Sequence, residues 1–331
     1  MLEHVPNYLK TKYKEKIEAG IINTCNLPNK TLSIDWQGNC FVCVCDGWLP
    51  ISIGHITDFN SLESIWRSTI ARKLQQDVAD KKFTYCKVDF CDIKKRNIIH
   101  TRYSISINID ESCNLQCPSC RSEKINHSSG PIYNQKLQWA EHITKLINKF
   151  EEELEINMCG NGDPFASLIY RKILLDLTVN DKHTYKISTN GLLLEKIIPQ
   201  LKIINSIIHY NISIDAGDKE TYEYVRKGGQ WSTLIKNLDF LKSLDNTFTV
   251  NLNFCLQRDN LRSLENFVRL VEHYGWIGIV HPLENWFTWS DFDNKNILND
   301  THHLYNETKN ILKHISQSKN VQLQGYIQGL I

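Results

Sequence analysis

ESCNLQCPSC, residues 111–120, places Cys113, Cys117 and Cys120 at C-x3-C-x2-C spacing, directly after the alternating stretch YSISINID (103–110). Period-2 alternation reads as a strand, so the three thiols fall on the loop that leaves it. Clustered thiols are a metal-binding pattern, yet a closed structural site takes four ligands, and this stretch supplies three.

Downstream, the same strand-then-loop pattern recurs. LEINMC (154–159), YKIST (185–189), IIHYNISID (207–215), FTVNLNFC (248–255) and IGIVH (277–281) read as strands. Helical patterns separate them at 134–150, 167–179, 192–204, 231–244 and 261–274. Repeated β-α order implies parallel strands with right-handed crossovers. The expected fold is α/β, a partial (β/α)6 TIM-like barrel. In such barrels chemistry collects on the loops after the strands. Those loops are CNLQCPSC (113–120), CGNGDP (159–164), STNG (188–191), SIDAGD (213–218), CLQRDN (255–260) and HPLENW (281–286). The last segment reads as a helix at 301–317 and a tail.

Upstream lies a small cysteine-rich α+β module with Cys25, Cys40, Cys43, Cys45, Cys86 and Cys91. TLSIDWQGNCFVCVC reads as a hairpin turning at Gly38-Asn39, with Leu32, Ile34 and Trp36 on one face. SLESIWRSTIARKLQQDVAD reads as one helix capped by Ser61. Thiols before the hairpin, on it and after the helix can converge on a metal centre, and a structural zinc site has the same spacing signature. Cys40 and Cys45 read as buried small residues or spare ligands.

The 331 residues carry 38 basic and 37 acidic side chains, so no global field draws in nucleic acid or an anionic membrane. The first twenty residues lack the apolar core of a secretory signal, and no apolar run is long enough to span a bilayer. The expected location is cytoplasmic, where thiols stay reduced. Eleven cysteines there read as metal ligands before disulfides.

CNLQCPSC on the first barrel loop resembles the radical S-adenosylmethionine (SAM) superfamily, and the barrel agrees over roughly residues 100–285. The Cys25-to-Cys43 hairpin with IDWQGN, then IGHITDFNSLESIWRS, then Cys86 and Cys91, resembles a SPASM or twitch auxiliary-cluster module. Such modules more commonly follow the barrel; here the module precedes it. The implied domains are 1–97 (auxiliary module), 98–290 (radical SAM partial barrel) and 291–331 (C-terminal helix and tail). The resemblance resolves the missing ligand: Cys113, Cys117 and Cys120 hold three irons of a [4Fe-4S] cluster, and SAM takes the fourth. It implies a second, auxiliary [4Fe-4S] cluster on Cys25, Cys43, Cys86 and Cys91. It also implies SAM contacts from Gly160, Asn161, Gly162, Asp163, Ser188, Asn190, Ser213, Asp215, Arg226, Gln257 and Asn260, with no catalytic residue beyond the cluster.

Each of these residues also has a plainer reading. Gly, Asp and Pro in GNGDP suit any turn, STNG suits a helix cap, Asp215 suits a strand end and Arg226 suits a surface ion pair. Cys159 and Cys255 read as strand-end core residues. Trp286, Phe287 and Trp289 read as packing over the barrel mouth before pocket lining, and His281 as structural. The expected function is reductive cleavage of SAM to a 5′-deoxyadenosyl radical. That radical abstracts hydrogen from a peptide or small metabolite, with an electron donor such as flavodoxin or ferredoxin. The 24 residues before Cys25 are too few for a leader-binding domain. The alternatives are a zinc or iron-sulfur structural or sensing protein, and a radical SAM enzyme acting on nucleic acid.

Overall fold

Side-chain alternation builds the strands. Along Thr249–Leu256, Val250, Leu252, Phe254 and Leu256 are buried, while Asn251, Asn253 and Cys255 are half-buried on the opposite face. Leu154–Met158 and His183–Thr189 alternate in the same way, burying Leu154, Ile156 and Met158, and Tyr185, Ile187 and Thr189. The computed structural model describes residues 23–44, 47, 49–88, 91–158, 160–244 and 247–331. Cys45 and Cys159, both read above from sequence, lie outside them.

The strands are β1 Thr31–Ile34, β2 Cys40–Phe41, β3 Tyr103–Ile107, β4 Leu154–Met158, β5 His183–Thr189, β6 Ile207–Ser213, β7 Thr249–Leu256, β8 Ile277–Pro282 and β9 Val321–Leu323. They form one open sheet in the order β2-β1-β3-β4-β5-β6-β7-β8-β9. β1 and β2 pair antiparallel. The β1–β3, β3–β4, β6–β7, β7–β8 and β8–β9 pairs are parallel. This is the α/β, mainly parallel sheet expected from the alternating pattern, unclosed and extended by β1 and β2 at one edge and β9 at the other.

The described residues group into two compact units, one within Met1–Glu111, Ser128–Asn161 and Lys172–Tyr185, the other within Ser112–His127, Gly162–Arg171 and Lys186–Ile331. In the first, Asp35 Oδ1 accepts from Gln37 N and Asn39 N and closes the hairpin turn, where Gly38 takes φ +81°. The hairpin face does not alternate as expected: all four residues of β1 are buried. β1 is an inner strand, paired with β2 on one edge and β3 on the other, and Trp66 Nε1 donates to Thr31 O at 3.0 Å. Lys136, buried on the helix Gly130–Lys149, donates to Ile109 O at 2.7 Å and lies 3.9 Å from Asp110.

The long helix expected over 61–80 is two helices, Leu62–Trp66 and Thr69–Ala79. Ser68 breaks it by accepting from Ala71 N, a second N-cap inside the run. The helix expected over 192–204 shortens to Leu194–Ile197 and a 3-10 turn at Ile198–Gln200, because Pro199 has no N–H for an α-helical bond.

In the second unit, helix Lys219–Val225 has an N-cap missed from sequence, Asp218 accepting from Thr221 N at 2.9 Å. The expected helix 301–317 is Tyr305–Ile315, and the tail adds β9 beside β8. Helix Leu264–Tyr274 packs Phe267 against Phe254 of β7 with ring centroids 4.9 Å apart.

Candidate functional site

The three-cysteine loop follows β3 and is pinned by its own backbone. Cys113 N donates to Ile125 O, Gln116 N to Lys227 O, and Cys120 N to Cys117 O. Cys117 is buried, Cys113 half-buried and Cys120 exposed. Every one of these sulfurs faces an N–H donor. Leu115 N lies 3.4 Å and Asn190 Nδ2 3.7 Å from Cys113 Sγ; Arg226 Nη1 lies 3.7 Å from Cys117 Sγ; Arg121 Nη2 lies 3.5 Å from Cys120 Sγ. Two of the donors are guanidinium groups, which suit thiolate better than neutral thiol. Burial pushes the Cys113 thiol up, and the Asp163 carboxylate adds to this. Burial does the same at Cys117, against the opposing charge of Arg226. Ligation by such thiols has to expel their protons, and the facing N–H groups then stabilise the sulfur charge, a recognised control on iron-sulfur clusters.

Asp163 is the hub of the next loops. It is buried, and its carboxylate accepts from Phe165 N at 2.9 Å, Ala166 N at 3.0 Å, Thr189 Oγ1 at 2.8 Å and Asn190 N at 2.7 Å. Burial pushes its carboxyl up while those four donors pull it down. Four bonds fill the acceptor capacity of a carboxylate, so Asp163 ties the loop after β4 to the end of β5. Asn190, held there, donates to Asn114 Oδ1 at 2.7 Å as well as facing Cys113.

Asp215 sits at φ +58°, a strained setting for a non-glycine residue. Its Oδ1 accepts from Cys255 N at 2.7 Å, and its Oδ2 lies 2.8 Å from Arg226 Nη2. Arg226 is 13% exposed, and its Nε is buried with no partner in the protein. Asn260 donates to both Asp215 O and Cys255 O, and its Oδ1 accepts from Gln257 N. Asp163, Asp215 and Asn260 are therefore braced by protein partners, whereas Ser188 and Ser213 are half-buried on strand faces. Gly162 lies with Asp163 in the second unit, while Gly160 and Asn161 belong to the first. Gly160, at φ +125°, lies so close to Asn108 that an added Cβ would come within 2.6 Å of Asn108 Oδ1.

In the first unit, burial pushes the Cys86 thiol up, and the charges of Cys43, Cys25 and Cys91 add to it, so four thiols share one neighbourhood. Cys25, Cys86 and Cys91 pack against Val78, Phe83, Val88 and Ile93. A cavity of about 360 Å³ opens beside Cys43 and Cys91. Cys40 is fully buried in β2, where burial and the charges of Asp35 and Asp58 hold its thiol up. Among the described residues no three His, Cys, Asp or Glu side chains converge on a single-ion site.

Two readings need correction. Trp286 and Phe287 are not packed: they are 68% and 89% exposed. Cys255 is a half-buried thiol near the end of β7, its Sγ 3.8 Å from Pro282 O, rather than a fully buried core residue. Asn114, Arg121 and Thr189 escaped the sequence reading. Their polar character was visible, but their bonds to Asn190, Cys120 and Asp163 exist only in the folded chain.

Comparison with known families bears on these sites. The radical SAM superfamily matches residues 107–271, which hold all three cysteines of the loop. The chain belongs to the radical SAM superfamily. An iron-sulfur cluster-binding domain of the SPASM type matches residues 25–92, N-terminal to the radical SAM domain. Radical SAM domains use a [4Fe-4S] cluster and SAM, and SPASM domains hold auxiliary iron-sulfur clusters.

Among curated relatives, a probable GTP 3′,8-cyclase of Methanococcus maripaludis is 28% identical over 41% of this chain and 44% of its own. The mycofactocin maturase MftC of Mycobacterium ulcerans is 22% identical over 50% of this chain and 42% of its own. The chain thus spans less than half the length of these two relatives. Among solved structures, Streptococcus suis SuiB bound to precursor peptide SuiA aligns with 13% identity and a TM-score of 0.47, over 77% of this chain and 62% of that one.

No described helix is long and apolar enough to cross a membrane.

Proposed function

We propose that this chain is a radical SAM enzyme in which Cys113, Cys117 and Cys120 hold the SAM-binding [4Fe-4S] cluster. The observation that carries this is the set of N–H donors facing all three sulfurs, two of them from arginines. With cluster and SAM bound, the site would supply one-electron reductive cleavage of the sulfonium C–S bond and, through it, hydrogen abstraction from the substrate.

The chain's own residues hold and orient. Asn190 and Arg226 brace the ligand loop, and Asp163 and Asp215 position those two in turn. Gly160, Asn161 and Gly162 offer backbone to the methionine end of SAM. Ser188, Ser213 and Gln257 offer polar groups to its sugar and base. Cys25, Cys43, Cys86 and Cys91 would hold an auxiliary [4Fe-4S] cluster, which would supply a one-electron acceptor or an anchoring point beside the substrate. The domains run 1–97, 98–290 and 291–331, and the protein works in the cytoplasm with a flavodoxin- or ferredoxin-like donor.

The substrate is a peptide or a small metabolite. The peptide reading draws support from the maturase relative, and the small-molecule reading from the GTP cyclase relative.

Anaerobic reconstitution with iron and sulfide tests the proposal. Iron content, the brown thiolate-to-iron absorbance and 5′-deoxyadenosine formed from SAM plus dithionite are expected together. Protein that takes up zinc but no iron would overturn it.

A further inference from the structure

β8 ends at Pro282 on the strand-end rim, and the chain beyond it turns its aromatic side chains outward. Trp286 is 68% exposed and Phe287 89% exposed. Phe287 holds φ +58°, its N–H bonded to Asn285 Oδ1 at 2.9 Å. Large apolar side chains kept at the surface mark contact sites when they cluster. Tyr326, 51% exposed, comes from the C-terminal 3-10 segment Gly325–Leu330, where Gly325 (φ +63°) backs onto Pro282. Glu284 lies near enough to Tyr326 for its charge to help burial hold the phenol up.

From Glu284 to Asn294 the charged side chains are all acidic. Glu284, Asp291 and Asp293 are exposed, and among the described residues none of them has a cationic partner. The two nearby cations are already committed: Lys295 Nζ lies 2.5 Å from Asp259 Oδ2, and Arg258 Nη2 lies 3.1 Å from Asp259 Oδ1. Lys295 also lies over Trp289, its Nζ 5.7 Å from the ring centroid. The same loop thus already seats an ammonium between a carboxylate and an indole, the arrangement that favours cations.

We propose that the exposed aromatic edge of Trp286, Phe287 and Tyr326, with Glu284, Asp291 and Asp293 around it, docks a peptide segment bearing Lys or Arg side chains. Built on the radical-enzyme reading above, this narrows the substrate class to a basic peptide. Aromatic faces would also stack on a purine. A nucleoside triphosphate, however, would bring its phosphates to uncompensated carboxylates, and like charges in juxtaposition suppress a partner.

Isothermal titration of the reconstituted full chain with acetyl-(Gly-Lys)5-amide, acetyl-(Gly-Glu)5-amide and GTP tests this. The lysine peptide is expected to bind at least roughly tenfold more tightly than either other probe, and less tightly as salt is raised. The Trp286→Ala/Phe287→Gly double variant is expected to weaken it by about fivefold or more. Glu284→Gln/Asp291→Asn is expected to weaken it similarly, and this polar-for-acidic pair guards against misfolding of the first. Equal or tighter binding of GTP or the glutamate peptide, or unchanged affinity in both double variants, would overturn the proposal. Substrate-free 5′-deoxyadenosine formation, measured on the same samples, reports on the enzyme reading separately: its absence sinks that reading, while the titrations decide the docking edge.

Discussion

Arg226 places one guanidinium nitrogen 2.8 Å from the Asp215 carboxylate and another 3.7 Å from Cys117 Sγ. A buried cation thus joins a strained strand end to the buried cysteine of the ligand loop. Asp215 answers the desolvation that burial imposes on Arg226, and the Cys117 thiolate adds to that.

Arg226→Gln leaves Asp215 buried without its partner, a loss of roughly 3 kcal/mol in unfolding free energy. Removing a cation beside the cluster also favours its oxidised form, so the reduction potential moves negative. Urea denaturation and EPR-monitored potentiometry read the two effects. Arg226→Lys should restore part of the potential but little of the stability, because an ammonium cannot span Asp215 and Cys117 as a guanidinium does. An unchanged potential in Arg226→Gln would separate Arg226 from the cluster.

Cys113→Ala, Cys117→Ala and Cys120→Ala should each end 5′-deoxyadenosine formation, with the far-ultraviolet circular dichroism retained. The exposed Cys120 makes the cleanest test, since its truncation leaves no cavity. Cleavage of SAM surviving any one of the three would remove that residue from the ligand set.

The N-terminal cysteines should divide into two classes. Cys86→Ala or Cys91→Ala should lower iron per chain and stop product formation, while some SAM cleavage persists. Cys40→Ser should keep its iron and instead lose roughly 1–3 kcal/mol of stability, because it puts a hydroxyl into a fully buried site of β2. Iron analysis beside thermal melting distinguishes the two. Iron lost from Cys40→Ser would put that thiol among the ligands.

Gly217 offers a purely steric test. A Cβ there would lie 1.9 Å from Phe267 N and 2.2 Å from Asn266 C, both backbone atoms of the helix Leu264–Tyr274. Backbone cannot swing aside as a side chain tip can. Gly217→Ala is expected to cost on the order of 4 kcal/mol or to prevent folding, whereas Gly329→Ala, with open space around it, should be silent.

What could be read from sequence follows from how local each signal is. β3 to β8 announced themselves because alternation is written residue by residue, and Val250, Leu252, Phe254 and Leu256 bury on one face as that pattern requires. The Cys113–Cys120 spacing was legible for the same reason. β1 was misread as two-faced because its burial depends on β3, some seventy residues away. β9 was invisible: three residues become a strand only by pairing with β8. In the site, Asp163 and Asp215 were located but not understood. A carboxylate after a strand looks the same in sequence whether it meets a ligand or four protein donors. Ser68 and Pro199 carry their helix breaks openly in the sequence, but the apolar periodicity runs on across both.

His183 sets an acid limit on the first unit. It is buried at the start of β5, with Nε2 3.0 Å from Phe150 O. Burial pulls its value below 6.5, against the Phe150 carbonyl and helped by the charge of Lys182. The unfolded chain therefore binds a proton at a higher pH than the folded one does. Stability must rise with pH across that interval: the contribution of neutral His183 is complete above about pH 6.5 and is lost as pH falls through the lower folded value. His183→Gln retains an N–H for Phe150 O and cannot titrate. Urea midpoints at pH 5 and pH 8 should therefore differ more for the wild-type protein than for His183→Gln, with the wild type losing stability on the acid side. Equal differences in the two proteins would place the acid sensitivity elsewhere.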